Sequence, residues 1–307
     1  MCKTTEILYV SDVDGLELSV LEITPEEDPK AVVMLVHGMC ENKERYIPFM
    51  EYLASQGYAS VIFDQRGHGQ SVKSKEDLGY MYRCGADGYL QDILGINRMV
   101  HERFPEIPLV LFGHSMGSLA VRAFTSEHDD CIDMLIISGS PSDTAAKGVG
   151  RLIASAEGRI RGFEHKSHLL EGMSFGGYAA KFSKEKSPFA WLSTDPEIVE
   201  AYEESELCGF TFSDDAFIVL FDLMKKAYDI QKWHVSKPGL PVLFISGADD
   251  PCMGNIRKFA KAVQAMRRAG YYDVRGKVYR GMRHEILNEK DKMTVFKDIV
   301  KYMGRKL

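Results

Sequence analysis

A serine stands at the centre of the pentapeptide Gly-His-Ser-Met-Gly over residues 113–117. An apolar run at 109–112 precedes it, and a segment with helical character follows it. A turn between strand and helix would lift the hydroxyl of Ser115 clear of a sheet, and the two glycines remove side chains that would collide across so tight a turn. A helix beginning directly after the serine would also direct its N-terminal amides at developing negative charge. Ser115 is therefore the candidate nucleophile.

A serine hydroxyl is a weak nucleophile, so a base must stand close to it. Of the nine histidines, His284 has the most suitable place, in a turn after the last predicted strand and before the last predicted helix. Loops at the carboxyl ends of parallel strands converge on one crevice. With an ordinary pKa of about 6.5, a histidine can accept the serine proton and return it to the leaving group. His284 is the candidate base.

The base in turn needs a carboxylate that orients it. The adjacent Asp249 and Asp250 directly follow an apolar run, and Asp143 follows an earlier one. The adjacent pair is favoured, and the residues by themselves do not separate its two members. An order of serine, then aspartate, then histidine along the chain is typical of one serine hydrolase fold and differs from the orders of the others.

An oxyanion formed on the substrate needs two backbone amide donors. The amide of Met116 comes directly after the candidate nucleophile. The second donor is expected from the turn after the apolar run 31–36, where Met39 follows Gly38, and a glycine there lets the backbone approach the substrate closely. Met39 and Met116 are therefore the predicted oxyanion hole.

The elements that must position these residues alternate between apolar runs and helical patterns, which indicates the α/β class with a mostly parallel sheet. Strands are predicted over 6–10, 16–23, 31–36, 59–63, 109–112, 134–138, 241–246 and 274–279. Helices are predicted over 43–56, 88–103, 116–125, 255–269 and 291–303. The continuous run 32–36 is typical of a strand buried on both faces.

The alternation breaks down between residues 138 and 241. That segment is rich in glycine, serine and charge, but it also holds many aromatic residues, which a disordered linker would lack. The sequence therefore predicts an ordered, mainly helical insertion over 140–239. Its run 217–221 is a candidate lining for an acyl chain, and Glu203, Glu204 and Glu206 are candidate partners for a substrate ammonium.

Composition and charge exclude several classes of function. A hydrophobic content of 45% and a charged content of 27% are those of a globular protein. A net charge of −6 argues against nucleic acid as a partner. Six scattered cysteines without a paired spacing argue against zinc or a disulfide framework and favour the cytoplasm. We expect no secretory signal, no stable membrane insertion and no cofactor; oligomeric state stays open.

Five segments of the chain resemble motifs of one family. Residues 37–41, with Arg45-Tyr46 after them, resemble its His-Gly-x-x-Glu turn, and 64–71 resemble its Asp-x-Arg-Gly-His-Gly-x-Ser loop. Residues 247–250 match a Gly-x-x-Asp motif, and 191–196 and 284–289 resemble segments of bacterial lysophospholipase-like members. The chain is thus similar to the α/β-hydrolases known as monoacylglycerol lipases and lysophospholipases, which are grouped with the serine aminopeptidases.

This resemblance implies the α/β-hydrolase fold, a mostly parallel eight-stranded sheet with flanking helices and a helical cap inserted after the sixth strand. The catalytic domain would comprise 1–139 and 240–307, and the cap 140–239. The Gly-x-x-Asp match selects Asp250 as the acid beside Ser115 and His284. The implied activity is hydrolysis of small-molecule acyl esters such as monoacylglycerols or lysophospholipids. A short-chain or aryl-ester esterase, an aminopeptidase-type amide hydrolase and a non-catalytic ligand-binding protein stay open as alternatives.

Overall fold

The computed structural model describes residues 2–307 and contains one mostly parallel eight-stranded sheet, as the sequence predicts. Its strand order is β1-β2-β4-β3-β5-β6-β7-β8. The strands β1 and β2 pair antiparallel with their neighbours, and β3 to β8 run parallel. The strands are β1 (Lys3–Val10), β2 (Glu17–Thr24), β3 (Val32–Val36), β4 (Ala59–Phe63), β5 (Leu109–His114), β6 (Met134–Ser138), β7 (Val242–Gly247) and β8 (Val274–Tyr279).

The helices fall into two groups, those that cover the sheet and those between β6 and β7. The first group is α1 (Ile47–Ser55), α2 (Gly85–Arg103), α3 (Met116–His128), α8 (Ile256–Ala269) and α9 (Lys292–Met303). The second is α4 (Ala146–Arg161), α5 (His168–Lys181), α6 (Pro196–Glu204) and α7 (Asp214–Tyr228). The mainly helical insertion predicted for this part of the chain is thereby confirmed. In the part of the chain that the structure describes, no helix has the length and apolar character that a membrane span requires.

The central strand β3 explains why the sheet is covered on both sides. Successive side chains of a strand point to opposite faces. Val32, Met34 and Val36 pack into one apolar layer, with residues of α2, α3 and α8. Val33 and Leu35 pack into the other, with residues of α1 and α9. Because helices cover both faces of the sheet, the edge formed by the carboxyl ends of the parallel strands is where a site can lie.

Helix boundaries differ from the prediction by up to three residues in α2 and α3 and by four residues at the start of α1. The segment predicted as a single helix over 43–56 is a 3₁₀ turn, Lys43–Tyr46, followed by α1. Pro48 stands in the first turn of α1. Proline has no backbone N–H and is tolerated at a helix start, where that donor has no intrahelical partner, so the α-helix begins at this point.

Candidate active site

Ser115 lies on a sharp turn between β5 and α3, at the carboxyl edge of the sheet. Its φ is +52°, a left-handed conformation that non-glycine residues rarely adopt, and its N–H donates to the carbonyl of Ser138 at 2.9 Å. A Cβ on Gly117 would collide with two carbonyl oxygens at the end of β3, and one on Gly113 would lie 2.5 Å from the Gly117 carbonyl. The two glycines are therefore required for the tight turn that exposes the serine.

The loops after β7 and β8 bring Asp250 and His284 together. Nδ1 of His284 lies 3.0 Å from Oδ1 of Asp250, and both side chains are buried. The Cys252 N–H and the Ser246 hydroxyl donate to the same carboxylate, at 2.8 and 3.1 Å. Asp249 is exposed. Of the adjacent aspartates that the sequence proposes, Asp250 is therefore the one held against the histidine.

The charges of this pair support each other. Burial opposes the charged form of His284, but the Asp250 carboxylate and the sulfur of Cys252 raise the pKa of the imidazole well above its usual value. Burial also opposes ionisation of Asp250, yet the His284 charge and the donated hydrogen bonds lower the pKa of that carboxyl. His114 packs on His284 at 4.7 Å between ring centroids, and burial together with His284 lowers the pKa of His114 to about 3.

The turn after β3 carries the predicted oxyanion donor Met39. Glu41 folds back over this turn and accepts hydrogen bonds from the Gly38 N–H and, at 2.9 Å, from the Tyr46 hydroxyl. The amides of Met39 and Met116 donate to no other residue within the described chain. A Cβ on Gly38 would lie 3.1 Å from Cβ of Ser115, which shows how closely the turn approaches the serine.

Arg45 joins this turn to the histidine loop. Its guanidinium donates to both carboxylate oxygens of Glu285, at 2.7 and 2.5 Å, and to Glu41 at 2.8 Å. It also lies over the ring of Tyr202, 4.8 Å from the centroid. Burial opposes the charge of Glu285, but Arg45 lowers the pKa of that carboxyl to about 2. Burial raises the pKa of Glu41 despite the same cation.

Two cavities of about 320 Å³ each meet at Met39, Ser115 and Phe175. The one that reaches His284 is called the His284 cavity, and Trp191 and Tyr202 also line it. The other, called the Met116 cavity, has apolar walls from α4, α5 and α7. Both lie between the sheet edge and the segment that follows β6.

Some candidates from the insertion are placed differently from the expectation. In the run 217–221, Leu220 and Phe221 line the Met116 cavity, whereas Phe217 and Val219 are wholly buried among other apolar side chains. The three glutamates proposed for a substrate ammonium line neither cavity. The Glu203 carboxylate accepts a hydrogen bond from the Ser187 hydroxyl at 2.6 Å, and Glu206 pairs with Lys75 at 2.6 Å. Both contacts are exposed to solvent at the protein surface.

Residue patterns did not reveal two contacts of the site. Arg45 donates to Glu285 across the site, and the ring of Trp191 lies 5.1 Å from that of His284, and neither contact follows from the residue spacing. Glu285 directly follows the candidate base in the sequence, and an acidic residue at such a place is the signal that indicates a nearby cation.

Two groups of side chains have the donors that a metal ion would need. One is Asp250, Cys252 and His284 itself, and burial raises the pKa of the Cys252 thiol, which keeps it protonated. The other is Glu157, His165 and Asp214. There Nδ1 of His165 lies 2.9 Å from Asp214, and its Nε2 faces the Arg161 guanidinium at 3.0 Å. Side chains of both groups already contact other protein groups, and we assign no metal to either.

Comparisons with known proteins identify the family and the fold. The family model described as "Serine aminopeptidase, S33" matches residues 27–291. The chain is similar to a monoacylglycerol lipase from Mycolicibacterium smegmatis, with 25% identity over 287 residues that cover 91% of this chain and 90% of that protein. In fold it is similar to a carboxyl esterase from Bacillus coagulans, with a TM-score of 0.89, 22% identity and coverage of 99% and 98%. A monoacylglycerol lipase from Paleococcus ferrophilus gives a TM-score of 0.73, 22% identity and coverage of 95% and 100%.

Proposed function

Because the chain belongs to the serine aminopeptidase S33 family, we propose that it is a serine carboxylester hydrolase that acts through an acyl-enzyme on esters of a single acyl chain. One observation carries the proposal. Ser115 stands on a strained turn at a cavity that it shares with His284, and His284 lies 3.0 Å from the buried Asp250. These three residues would form the catalytic triad.

The reaction would proceed in two displacements. In the first, His284 takes the proton of Ser115 as the serine oxygen attacks the ester carbonyl carbon, and the amides of Met39 and Met116 stabilise the oxyanion. The bond to the alcohol oxygen breaks, and the alcohol leaves with the proton from His284. In the second, His284 deprotonates a water that attacks the acyl-enzyme, and the proton returns to Ser115 as the acid is released.

Monoacylglycerol-like or lysophospholipid-like esters are the proposed substrates, and residues 140–239 the cap over them. The M. smegmatis relative is named a monoacylglycerol lipase, and the Met116 cavity offers the apolar walls of Leu170, Leu220 and Phe221. Each buried methylene contributes about 0.8 kcal/mol, roughly a factor of four in binding. Hydrolysis should therefore depend steeply on acyl chain length. The six free thiols support a reducing compartment, the cytoplasm, as the place of action.

Three alternatives predict different behaviour. A short-chain or aryl-ester esterase would prefer acetate or butyrate esters. An aminopeptidase would cleave an amide next to a free ammonium, and the carboxylate of Glu171 in the His284 cavity is the observation that favours testing this. A non-catalytic ligand-binding member of the fold would bind acyl compounds without turning them over.

The first experiment is hydrolysis of p-nitrophenyl esters from acetate to palmitate by the wild type and by Ser115→Ala. Ser183→Ala, which changes an exposed serine elsewhere in the chain, is the matched control. We expect turnover in the wild type and the control, a peak at medium or long chains, and no turnover in Ser115→Ala. Labelling by a fluorophosphonate should likewise require Ser115. Equal hydrolysis by wild type and Ser115→Ala would exclude the proposed nucleophile.

A further inference from the structure

The two cavities that meet at Ser115 carry charges of opposite sign. Among the described residues, the charged side chains that line the His284 cavity are Glu41, Glu171 and Glu285, apart from histidines, with no lysine or arginine. The charged side chains that line the Met116 cavity are Lys147 and Lys258, and no carboxylate of the described chain joins them. Lys147 pairs with Asp143, which lies outside the lining, and the charged side chains of the two linings differ in sign.

The place of His284 decides which half of the substrate enters which cavity. The histidine must deliver its proton to the oxygen of the departing alcohol, so the alcohol must lie within its reach. His284 lines only one of the two cavities. The leaving group therefore occupies the His284 cavity, and the acyl chain occupies the apolar Met116 cavity.

Glu171 is the carboxylate in the His284 cavity whose charge is least compensated. Arg45 lies against both Glu41 and Glu285. Glu171 accepts instead from the Thr211 hydroxyl at 2.9 Å and lies 3.2 Å from Nδ1 of His168. No lysine or arginine of the described residues pairs with it, and its side chain is 36% exposed. A negative group brought into this cavity meets that carboxylate without an intervening lysine or arginine.

We propose that Glu171 makes the enzyme select leaving groups without negative charge, so that uncharged polyols and cationic alcohols are accepted and phosphate-bearing alcohols are rejected. Of the two substrate classes proposed above, this selects monoacylglycerols over lysophospholipids, whose departing alcohol carries a phosphate. This inference rests on the proposed function of Ser115. The rings of Phe175, Trp191 and Phe210, which line the same cavity, fit this selection. The faces of aromatic rings are negative, and they attract cations and repel anions.

The test compares three esters that share the dodecanoyl chain: monododecanoylglycerol, dodecanoylcholine and dodecanoyl-glycerol-3-phosphate. For the wild type we expect kcat/KM for the glycerol and choline esters to exceed that for the phosphate ester by at least about tenfold, which corresponds to about 1.4 kcal/mol. Glu171→Gln should raise kcat/KM for the phosphate ester about tenfold, and Glu171→Lys more than that. Added salt should reduce the selectivity, because the cavity is open to solvent.

The matched control is Glu200→Lys, which makes the same charge change on the exposed surface of α6 outside both cavities. It should leave all three rates and their ratios unchanged. If all three esters are hydrolysed and the ratios are the same in the wild type and the Glu171 variants, the inference is wrong while the proposed function stands. If none is hydrolysed and the p-nitrophenyl esters also fail, the proposed function is wrong. An equal change of ratio in Glu200→Lys would assign the effect to net charge and overturn the role of Glu171.

Discussion

Replacement of Arg45 by methionine removes the cation that joins the turn after β3 to the histidine loop, and keeps an unbranched side chain about as long as the arginine's aliphatic stem. The side chains of Glu41 and Glu285 are 3% and 4% exposed and that of Arg45 is 13% exposed, so water cannot take over the role of the guanidinium. Removal of one member of a buried ion pair costs about 3–5 kcal/mol, because the remaining charge is left without a partner. We expect a loss of that size in the free energy of unfolding at neutral pH.

The loss should depend on pH in a definite direction. Arg45 lowers the pKa of Glu285 to about 2 against the effect of burial, so the wild type gains stability from this ion pair above the ordinary glutamate pKa. That gain is lost as pH falls through the folded pKa. Without Arg45 the gain is absent at every pH. The difference in stability between wild type and Arg45→Met should therefore be largest near neutral pH and shrink from about pH 4 downward.

Catalysis should suffer beyond the loss of stability. Glu41 holds the Gly38 N–H and is itself held by Arg45, so its release displaces the adjacent Met39 amide. Loss of one oxyanion donor costs about 10²- to 10³-fold in kcat, and we expect a decrease of roughly 10²-fold with a smaller change in KM. The assays are urea denaturation between pH 3 and 8 and hydrolysis of p-nitrophenyl butyrate under conditions where the variant is folded.

A matched control is Arg151→Met, which breaks the pair with Asp222, whose two side chains are 45% and 25% exposed. An exposed pair contributes about 1 kcal/mol or less, so this variant should lose little stability and keep its kcat. The reasoning about Arg45 would be refuted by a folded Arg45→Met protein with wild-type kcat. It would equally be refuted by a stability difference that does not change between pH 3 and 7.

Two further substitutions test the site and the turn. Asp250→Asn should lower kcat about 10⁴-fold. It should also move the acid limb of the pH profile downward, because Asp250 raises the pKa of His284 and the protonated imidazole cannot accept a proton. Asp249→Asn, at an exposed position, should keep kcat within a factor of about two when both variants are measured from pH 5 to 9. Gly117→Ala should lower the free energy of unfolding by about 1–3 kcal/mol or more through its clash with backbone oxygens at the end of β3. Gly148→Ala, where a Cβ meets nothing within 4 Å in α4, should be neutral or stabilising by thermal denaturation.

The sheet could be predicted because its signals are local. The apolar residues of β3 alternate between two buried layers, and a continuous apolar run is what such a strand requires. All eight strands lie near their predicted places, including the edge strands β1 and β8, which have no such continuous buried run. The start of α1 lies later than predicted, because Lys43–Tyr46 form a 3₁₀ turn and Pro48 stands in the first turn of the α-helix.

The site could be predicted only in part. Ser115, His284 and Asp250 each follow a strand, and the topology of a parallel sheet brings such positions to one edge. Arg45 and its partner Glu285 are 240 positions apart, and no periodicity connects them. The charge difference between the two cavities likewise arises from helices that pack side by side in space, so each glutamate and lysine looks like an ordinary surface residue in the sequence.

The segment between β6 and β7 holds the turn after β3 in place as well as forming the cavity walls. The carbonyl of Cys40, next to Met39 in the oxyanion turn, accepts from the Tyr202 hydroxyl at 2.9 Å and from the Gly209 N–H at 3.0 Å. Cys40 has a φ of +56°, a conformation that persists only where surrounding contacts hold it. Both donors belong to the segment that covers the site. Under the proposed function, a displacement of that segment would therefore release the turn that carries the Met39 amide, because direct hydrogen bonds join the two.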